Sequence, residues 1–255
     1  MNREETATDS DSLGRVENVF QKAGYLATGE RGHGALLRTL RIVALDINGT
    51  LIDGRYKRWT DIFENKMNLE RRENAPPLQW YAAQTGRLSF QEMLNLHYVA
   101  DRPDLASEAL NIYMEDLEPR DGCYRLLECL RRRYDLIVCS DTSGVTKAIA
   151  KRFDLERYFL ASFYSLDVGW MKSDLEYWTT VLAAFPGTGP AAFVMVGDNP
   201  RCDVHWPHFL GMTTIQIKTT ELSSRHSIEV DDDPDYYVTR LDEVADLLVP
   251  HIEPE

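Results

Sequence analysis

Basic residues are scarce in this chain: 28 Lys and Arg stand against 41 Asp and Glu, a formal net charge of −13 over 255 residues. Such a surface repels nucleic acid and anionic membranes, which leaves small molecules and proteins as partners. Long apolar runs are missing too. None approaches the roughly 18 residues of a membrane span, and the opening Met1-Asn-Arg-Glu-Glu5 is polar. Neither a signal peptide nor a transmembrane helix is expected, and the protein reads as cytoplasmic. The four cysteines, Cys123, Cys129, Cys139 and Cys202, lack Cys-x-x-Cys spacing and partnering histidines. They are expected as reduced thiols rather than as disulfides or a zinc site. His205 and His208 lie far from any cysteine pair and read as surface imidazoles. The Gly-rich stretch Thr28-Gly-Glu-Arg-Gly-His-Gly34 lacks the Gly-Lys-Ser/Thr ending of a nucleotide-binding loop and reads as a linker. No internal repeat is present.

What the chain does have is an apolar fraction of 44%, ordinary for a globular protein. Residues 1 to about 12 hold little to bury and are expected to lack fixed structure. Val16, Val19, Phe20 and Ala23 recur at helical spacing ahead of Gly24 and predict a short amphipathic helix. From Arg41 onward strands alternate with helices. Strands are expected at 41–45, 136–139, 159–165, 192–196, Thr213–Ile217 and Tyr236–Val238. Helices are expected at 124–133 and 144–153, after the cap Ser173-Asp-Leu-Glu176, and before Gly211. That alternation predicts an α/β fold, a Rossmann-like parallel sheet flanked by helices. Residues 55–118 carry no convincing strand, only helical patterns broken by Pro76-Pro77, Gly86 and Pro103. Within them Ser89-Phe-Gln-Glu92 has the spacing of a capping box, opening a helix with Phe90, Met93, Leu94 and His97 on one side. The expected organisation is an N-terminal extension over 1–38, a core of 39–54 and 119–255, and an inserted all-helical cap over 55–118. Hinges are expected near Asp53-Gly54 and between Pro119 and Gly122.

Four strand ends carry the chemistry. Asp46 ends the first strand and is followed by the turn Asn48-Gly49-Thr50. Ser140, Asp141 and Thr142 follow the second. Lys172 lies in Gly169-Trp-Met-Lys-Ser-Asp174, and Asp198 and Asp203 lie in Gly197-Asp-Asn-Pro-Arg-Cys-Asp203. In a parallel sheet these fall at one edge. Together they offer a nucleophilic carboxylate, a hydroxyl donor, a fixed cation and a pair of acids for a hard metal, the parts that phosphoryl transfer requires. Plainer readings compete at single positions. Asn48-Gly49 alone is a turn, Ser140 a strand-end cap, Asp141 a structural carboxylate, and Trp170, Trp178 and Trp206 packing. The run Arg55-Tyr-Lys-Arg-Trp59 is either a solvated helix face or the lining of a cleft. In the second case Arg55, Lys57 and Arg58 would meet an anionic substrate tail.

The ordered set, spanning about 41–211, resembles the four motifs of the haloacid dehalogenase (HAD) superfamily, and the insertion resembles its helical cap. The resemblance implies that Asp46 is a nucleophile forming an aspartyl-phosphate, that Ser140 hydrogen-bonds the transferred group, and that Lys172 holds the nucleophile and phosphate charges together. Thr50, Asp141 and Thr142 would stand beside the substrate. Asp46, Asp198 and the backbone carbonyl of Asn48 would ligate Mg²⁺ at about 2.1 Å, with Asp203 in support. The chain departs from the pattern twice. Ser173 stands where proline often follows the lysine, and it can cap the helix instead. Asn48 replaces the second aspartate of the phosphatase members, which protonates the leaving group and then activates water.

An amide does neither proton transfer. General acid/base catalysis contributes roughly 10² to 10⁴ in rate, about 3 to 5 kcal/mol of barrier. Relatives without an acid there include P-type ATPases (Thr), haloacid dehalogenases (Tyr) and phosphonoacetaldehyde hydrolases, which have a small residue and use a cap lysine. Dehalogenases need no metal, whereas this chain keeps Asp198 and Asp203; the phosphonatase route needs a cap lysine, for which Lys57 and Lys66 are the candidates. The expectation is a Mg²⁺-dependent hydrolase of phosphatase or phosphotransferase type acting on a small phosphorylated metabolite. It would favour activated phosphates, or draw its proton from substrate or another residue. The alternatives are a binding or regulatory protein on the same fold, phosphonatase- or dehalogenase-like chemistry, and an Asp→Asn replacement made to trap a complex. Substrate identity and oligomeric state leave no mark on the sequence.

Overall fold

The computed structural model describes residues 39–54, 58–99, 102–218 and 233–249. The helix expected around Val16 to Ala23, the linker at 28–34, and Arg55 and Lys57 lie outside the described residues. In chain order, β1 (Ile42–Leu45) and β2 (Ile52–Gly54) lead into a mainly helical segment. It comprises a π-helical turn α1 (Asp61–Lys66), β3 (Glu70–Arg71), α2 (Trp80–Gln84), α3 (Phe90–His97), β4 (Tyr98–Val99) and α4 (Leu105–Met114). The chain returns through β5 (Leu117–Pro119) and then alternates: α5 (Cys123–Leu130), β6 (Asp135–Ser140), α6 (Val145–Arg152), β7 (Ala161–Tyr164), α7 (Ser165–Val168) and α8 (Leu175–Ala183). It closes with β8 (Phe193–Gly197), α9 (His205–Phe209), β9 (Thr213–Ile217), β10 (Tyr236–Val238) and α10 (Leu241–Leu248).

Six strands form one sheet in the order β10-β9-β8-β1-β6-β7, and every pairing in it is parallel. Both faces are covered, which is why β1 and β8 read as unbroken apolar runs. Val43 and Leu45 pack with Leu126 and Leu127 of α5, Ile149 of α6 and Val244 of α10. Ile42 and Ala44 point the other way, onto Tyr177, Trp178 and Val181 of α8.

Register then places the site. Leu45 stands level with Val138 of β6 on one side and Val196 of β8 on the other. The residues just beyond that level are Asp46, Ser140 and Asp198, so they emerge beside one another at the carboxyl edge. The chain leaves β1 toward β6 and returns to β8 on its opposite side. The crevice at such a reversal is where open α/β sheets bind ligands.

The helical segment has its own buried cluster, including Ile62, Phe63, Met93, Leu94, Leu105 and Ala109. Trp59 stacks flat on Tyr113, ring centroids 4.5 Å apart at 4°. The capping box opens α3 as expected, Ser89 Oγ accepting from Glu92 N–H at 3.1 Å and Glu92 Oε2 from Ser89 N–H at 2.8 Å. His97, at the far end of the same face, is buried and bonded by its ring nitrogens to Met93 O and Pro77 O. The segment is not purely helical, because β3 and β4 pair antiparallel over two residues each. Its stem is an antiparallel ribbon of β2 with β5, in which Ile52 pairs with Pro119 and Asp53 with Glu118. Ser173, expected to cap α8, does not. The helix begins at Leu175 with Asp174 in the cap position, and Asp174 Oδ2 accepts instead from Met171 N–H and from the Tyr81 hydroxyl, each at 2.9 Å.

Candidate active site

The turn after β1 is shaped by a glycine that the site requires. Gly49 has φ +82°, and a Cβ there would lie 2.3 Å from Asp198 Oδ2. Only glycine lets this backbone pass so close to the carboxylate. Gly197 serves the same end on β8, where a Cβ would lie 2.2 Å from Asp203 Cγ. Arg120 braces the turn from the ribbon, donating to Gly49 O at 2.8 Å and Thr50 O at 3.1 Å while paired with Asp53 at 3.0 Å.

Around this turn lies a cavity of about 100 Å³ lined by Asp46, Asn48, Ser140, Asp141, Lys172, Asp198, Asn199 and Cys202. The buried Lys172 ammonium sits 2.6 Å from Asp203 Oδ1 and 3.1 Å from Asp46 Oδ1. The second oxygen of Asp203 accepts Asn199 N–H at 2.9 Å, so both oxygens of that carboxylate are engaged. Two carboxylate oxygens are left over. Asp46 Oδ1 has no aligned hydrogen bond despite its nearness to Lys172, and Asp198 Oδ2 has none at all among the described residues. Asp46, Asp198 and Asp203 each offer an oxygen within 4.8 Å of the others.

Electrostatics explains why such a cluster calls for a cation. Four carboxylates, Asp46, Asp141, Asp198 and Asp203, face one ammonium. Burial, then the charges of Asp46 and Asp203, push the Asp198 carboxyl well above the usual carboxylate range. Burial likewise raises Asp203 to about 6, against the pull of Lys172. Burial works to lower Lys172, but Asp203, Asp46 and Asp141 outweigh it and hold the ammonium's pKa well above normal. Hard oxygen donors, two of them lacking hydrogen bonds, in a net-negative pocket fit a divalent cation such as Mg²⁺.

The remaining expected residues separate into those the fold brings to the cavity and those it does not. Asp141 lines it, though its Oδ1 is committed to Lys172 N–H at 2.8 Å, and burial raises its carboxyl. Thr50 is buried behind the cavity, its hydroxyl 3.5 Å from Asp198 Oδ1. Thr142 does not reach the cavity: its Oγ1 accepts the N–H groups of Gly144 and Thr146, each at 2.9 Å, and so serves the start of α6. Arg58 and Lys66 are exposed and line no part of the cavity.

Sequence reasoning passed over Thr146, whose Oγ1 holds Asn48 Nδ2 at 2.9 Å, and over Arg120. It also set aside Cys202, a wall of the cavity, whose thiol burial pushes up so that it stays protonated. Trp178 Nε1 holds Lys172 O at 2.8 Å.

Residues 40–205 match the model of the haloacid dehalogenase-like hydrolase family, and the chain belongs to that family. It is 24% identical to the HAD-hydrolase YfnB of Bacillus subtilis over 181 residues, 66% of this chain and 74% of that one. The magnesium-bound structure of YfnB superposes with a TM-score of 0.57 at 20% identity, covering 82% of this chain and 99% of that one. A HAD family enzyme from Bacteroides thetaiotaomicron, in complex with magnesium and inorganic phosphate, gives 0.58 at 18% identity, covering 71% and 96%. A HAD phosphatase from Thermococcus onnurineus gives 0.58 at 22%, covering 82% and 98%. Among the described residues no helix is long and apolar enough to cross a membrane.

Proposed function

We propose that this HAD-family hydrolase is a Mg²⁺-dependent phosphatase or phosphotransferase acting on a small phosphorylated metabolite through an aspartyl-phosphate on Asp46. The observation that carries the reading is the buried Lys172 ammonium between Asp46 and Asp203, with a carboxylate oxygen of Asp198 left unbonded across the same cavity. Asp46 and Asp198, with the backbone carbonyl of Asn48, would hold the metal, and Asp203 fixes Lys172. When bound, Mg²⁺ neutralises charge on the transferred group. Asp46 supplies the attacking oxygen, Ser140 faces the phosphoryl oxygens from the β6 end, and Lys172 offsets their charge. The segment 55–118 acts as a cap over this edge. Magnesium and phosphate in the Bacteroides relative, and the phosphatase from Thermococcus, support the same chemistry.

The amide of Asn48 shapes the substrate range. Acyl phosphates leave as carboxylates and need no proton, so they react well, whereas alkyl phosphates suffer. A panel spanning acetyl phosphate and sugar phosphates, run on the protein and on Asn48→Asp, tests this. The substitution is expected to raise alkyl phosphate hydrolysis by roughly 10² or more and to change acyl phosphate cleavage little. A flat response across the panel moves the assignment to the second reading, a binding or regulatory protein on the HAD fold. The same amide is the observation that favours it.

A further inference from the structure

Asn48 is anchored at one end. Its Nδ2 donates to Thr146 Oγ1 at 2.9 Å, and Thr146 is wholly buried in the first turn of α6, its own N–H tied to Thr142 Oγ1. The anchor decides which end of the amide looks where. The nitrogen is committed to the helix, which leaves Oδ1 as the unbonded end of a side chain that lines the cavity with Asp46. That oxygen is shielded from solvent and meets no donor among the described residues. A shielded acceptor beside a nucleophilic carboxylate suits a donor that arrives with the reaction.

We propose that Asn48 and Thr146 form a water-positioning pair, in which Thr146 fixes the amide and Asn48 Oδ1 orients the water that hydrolyses the aspartyl-phosphate. This rests on the phosphatase reading above and explains how turnover continues without an acid at position 48. In the step, the water oxygen forms a bond to phosphorus and the bond from phosphorus to the Asp46 oxygen breaks. The electron pair returns to Asp46 as carboxylate, and both water protons remain with the departing phosphate, released as dihydrogen phosphate. Asn48 accepts a hydrogen bond and takes no proton, since an amide oxygen is an acceptor but no useful base. The gain is orientation alone, as when a glutamine orients the attacking water in GTPases. Thr146 touches neither water nor phosphate and is a positioning residue.

The test uses the full chain with Mg²⁺ and acetyl phosphate, following phosphoenzyme and released phosphate by rapid quench. Thr146→Val keeps the side-chain shape and removes the hydroxyl. It is expected to slow phosphate release by roughly tenfold to a hundredfold, to raise the steady-state phosphoenzyme, and to leave kcat/KM unchanged, because kcat/KM reports phosphoenzyme formation. Thr146→Ser is expected to restore release. In an Asn48→Ala background Thr146→Val is expected to add nothing, whereas a purely structural role would add its effect and lower kcat/KM as well. Thr146→Ala supplies the same comparison if the valine variant does not fold. Unchanged release in folded Thr146→Val, or additive losses in the double variant, overturns the pair while leaving the phosphatase reading standing. Absence of phosphate release from the unaltered protein overturns both.

Discussion

Lys172 carries the electrostatics of the site at the scale of single residues. Its ammonium is 2.6 Å from Asp203 and 3.1 Å from Asp46, with all three groups out of solvent. Removing one partner of a buried pair leaves uncompensated charge and costs about 3–5 kcal/mol. Lys172→Met is therefore expected to lower the unfolding free energy by that amount at pH 7, measured by urea denaturation. The loss should shrink at pH 5, where Asp203 holds a proton. A loss within about 1 kcal/mol, the size of an exposed pair, would mean that the ammonium is not buried among these acids. The same carboxylates set a pH dependence. Asp203 titrates at about 6 in the folded chain and near the ordinary carboxylate value of roughly 4 when unfolded. Between those values the folded state holds the extra proton, so this group's contribution to stability falls as pH rises through the window. At the proposed metal ligand Asp198, whose carboxyl pKa is raised by burial and by the charges of Asp46 and Asp203, a divalent cation competes with the proton. The rise in Tm on adding Mg²⁺ is accordingly expected to grow with pH, as differential scanning calorimetry would show. A Mg²⁺ effect independent of pH would place the ion elsewhere.

At the scale of elements, the stretch from Gly169 to Asp174 is gripped on several sides. Trp178 Nε1 holds Lys172 O and Trp206 Nε1 holds Ser173 O, each at 2.8 Å. From the helical segment, Tyr81 donates to Asp174 Oδ2 at 2.9 Å. The Arg87 guanidinium lies 5.2 Å from the Tyr81 ring and 5.7 Å from the Trp170 ring. The helical segment thus docks on the element that carries Lys172. Tyr81→Phe is expected to loosen the docking by about 1 kcal/mol, the net worth of one hydrogen bond. Faster amide exchange at Met171 and Lys172 and a kcat/KM lower by a few fold would register it; unchanged exchange would show that the contact is incidental. These elements differ in how legible they were beforehand. β1, β8 and the middle of β6 announced themselves because strands covered on both faces read as apolar runs, and the capping box of α3 is a local pattern. β3 and β4 are two residues each, with Glu70 and Arg71 exposed, and leave no alternation to read. Of the site, the acids and Lys172 follow strand ends and are visible as motifs. Thr146 and Arg120 meet Asn48 and Gly49 across 98 and 71 residues of chain, so only the folded structure pairs them.

Among the described residues the sheet and the helical segment are linked by the β2–β5 ribbon and packed together at Trp59, Leu110 and Tyr113. The sheet carries a cluster on each face, and the segment between β2 and β5 carries a third. The ribbon ends beside the nucleophile, since Arg120 N–H donates to Leu51 O at 2.9 Å while its side chain braces Gly49 and Thr50. The central claim, that this site forms an aspartyl-phosphate on Asp46, is tested most directly by quenching the protein in acid after exposure to labelled acetyl phosphate and Mg²⁺, then mapping the label. The account predicts a label on the peptide containing Asp46 that is stable in acid, is released by hydroxylamine, and is absent from Asp46→Asn. Phosphate release without such a label, or a label that survives Asp46→Asn, would contradict it.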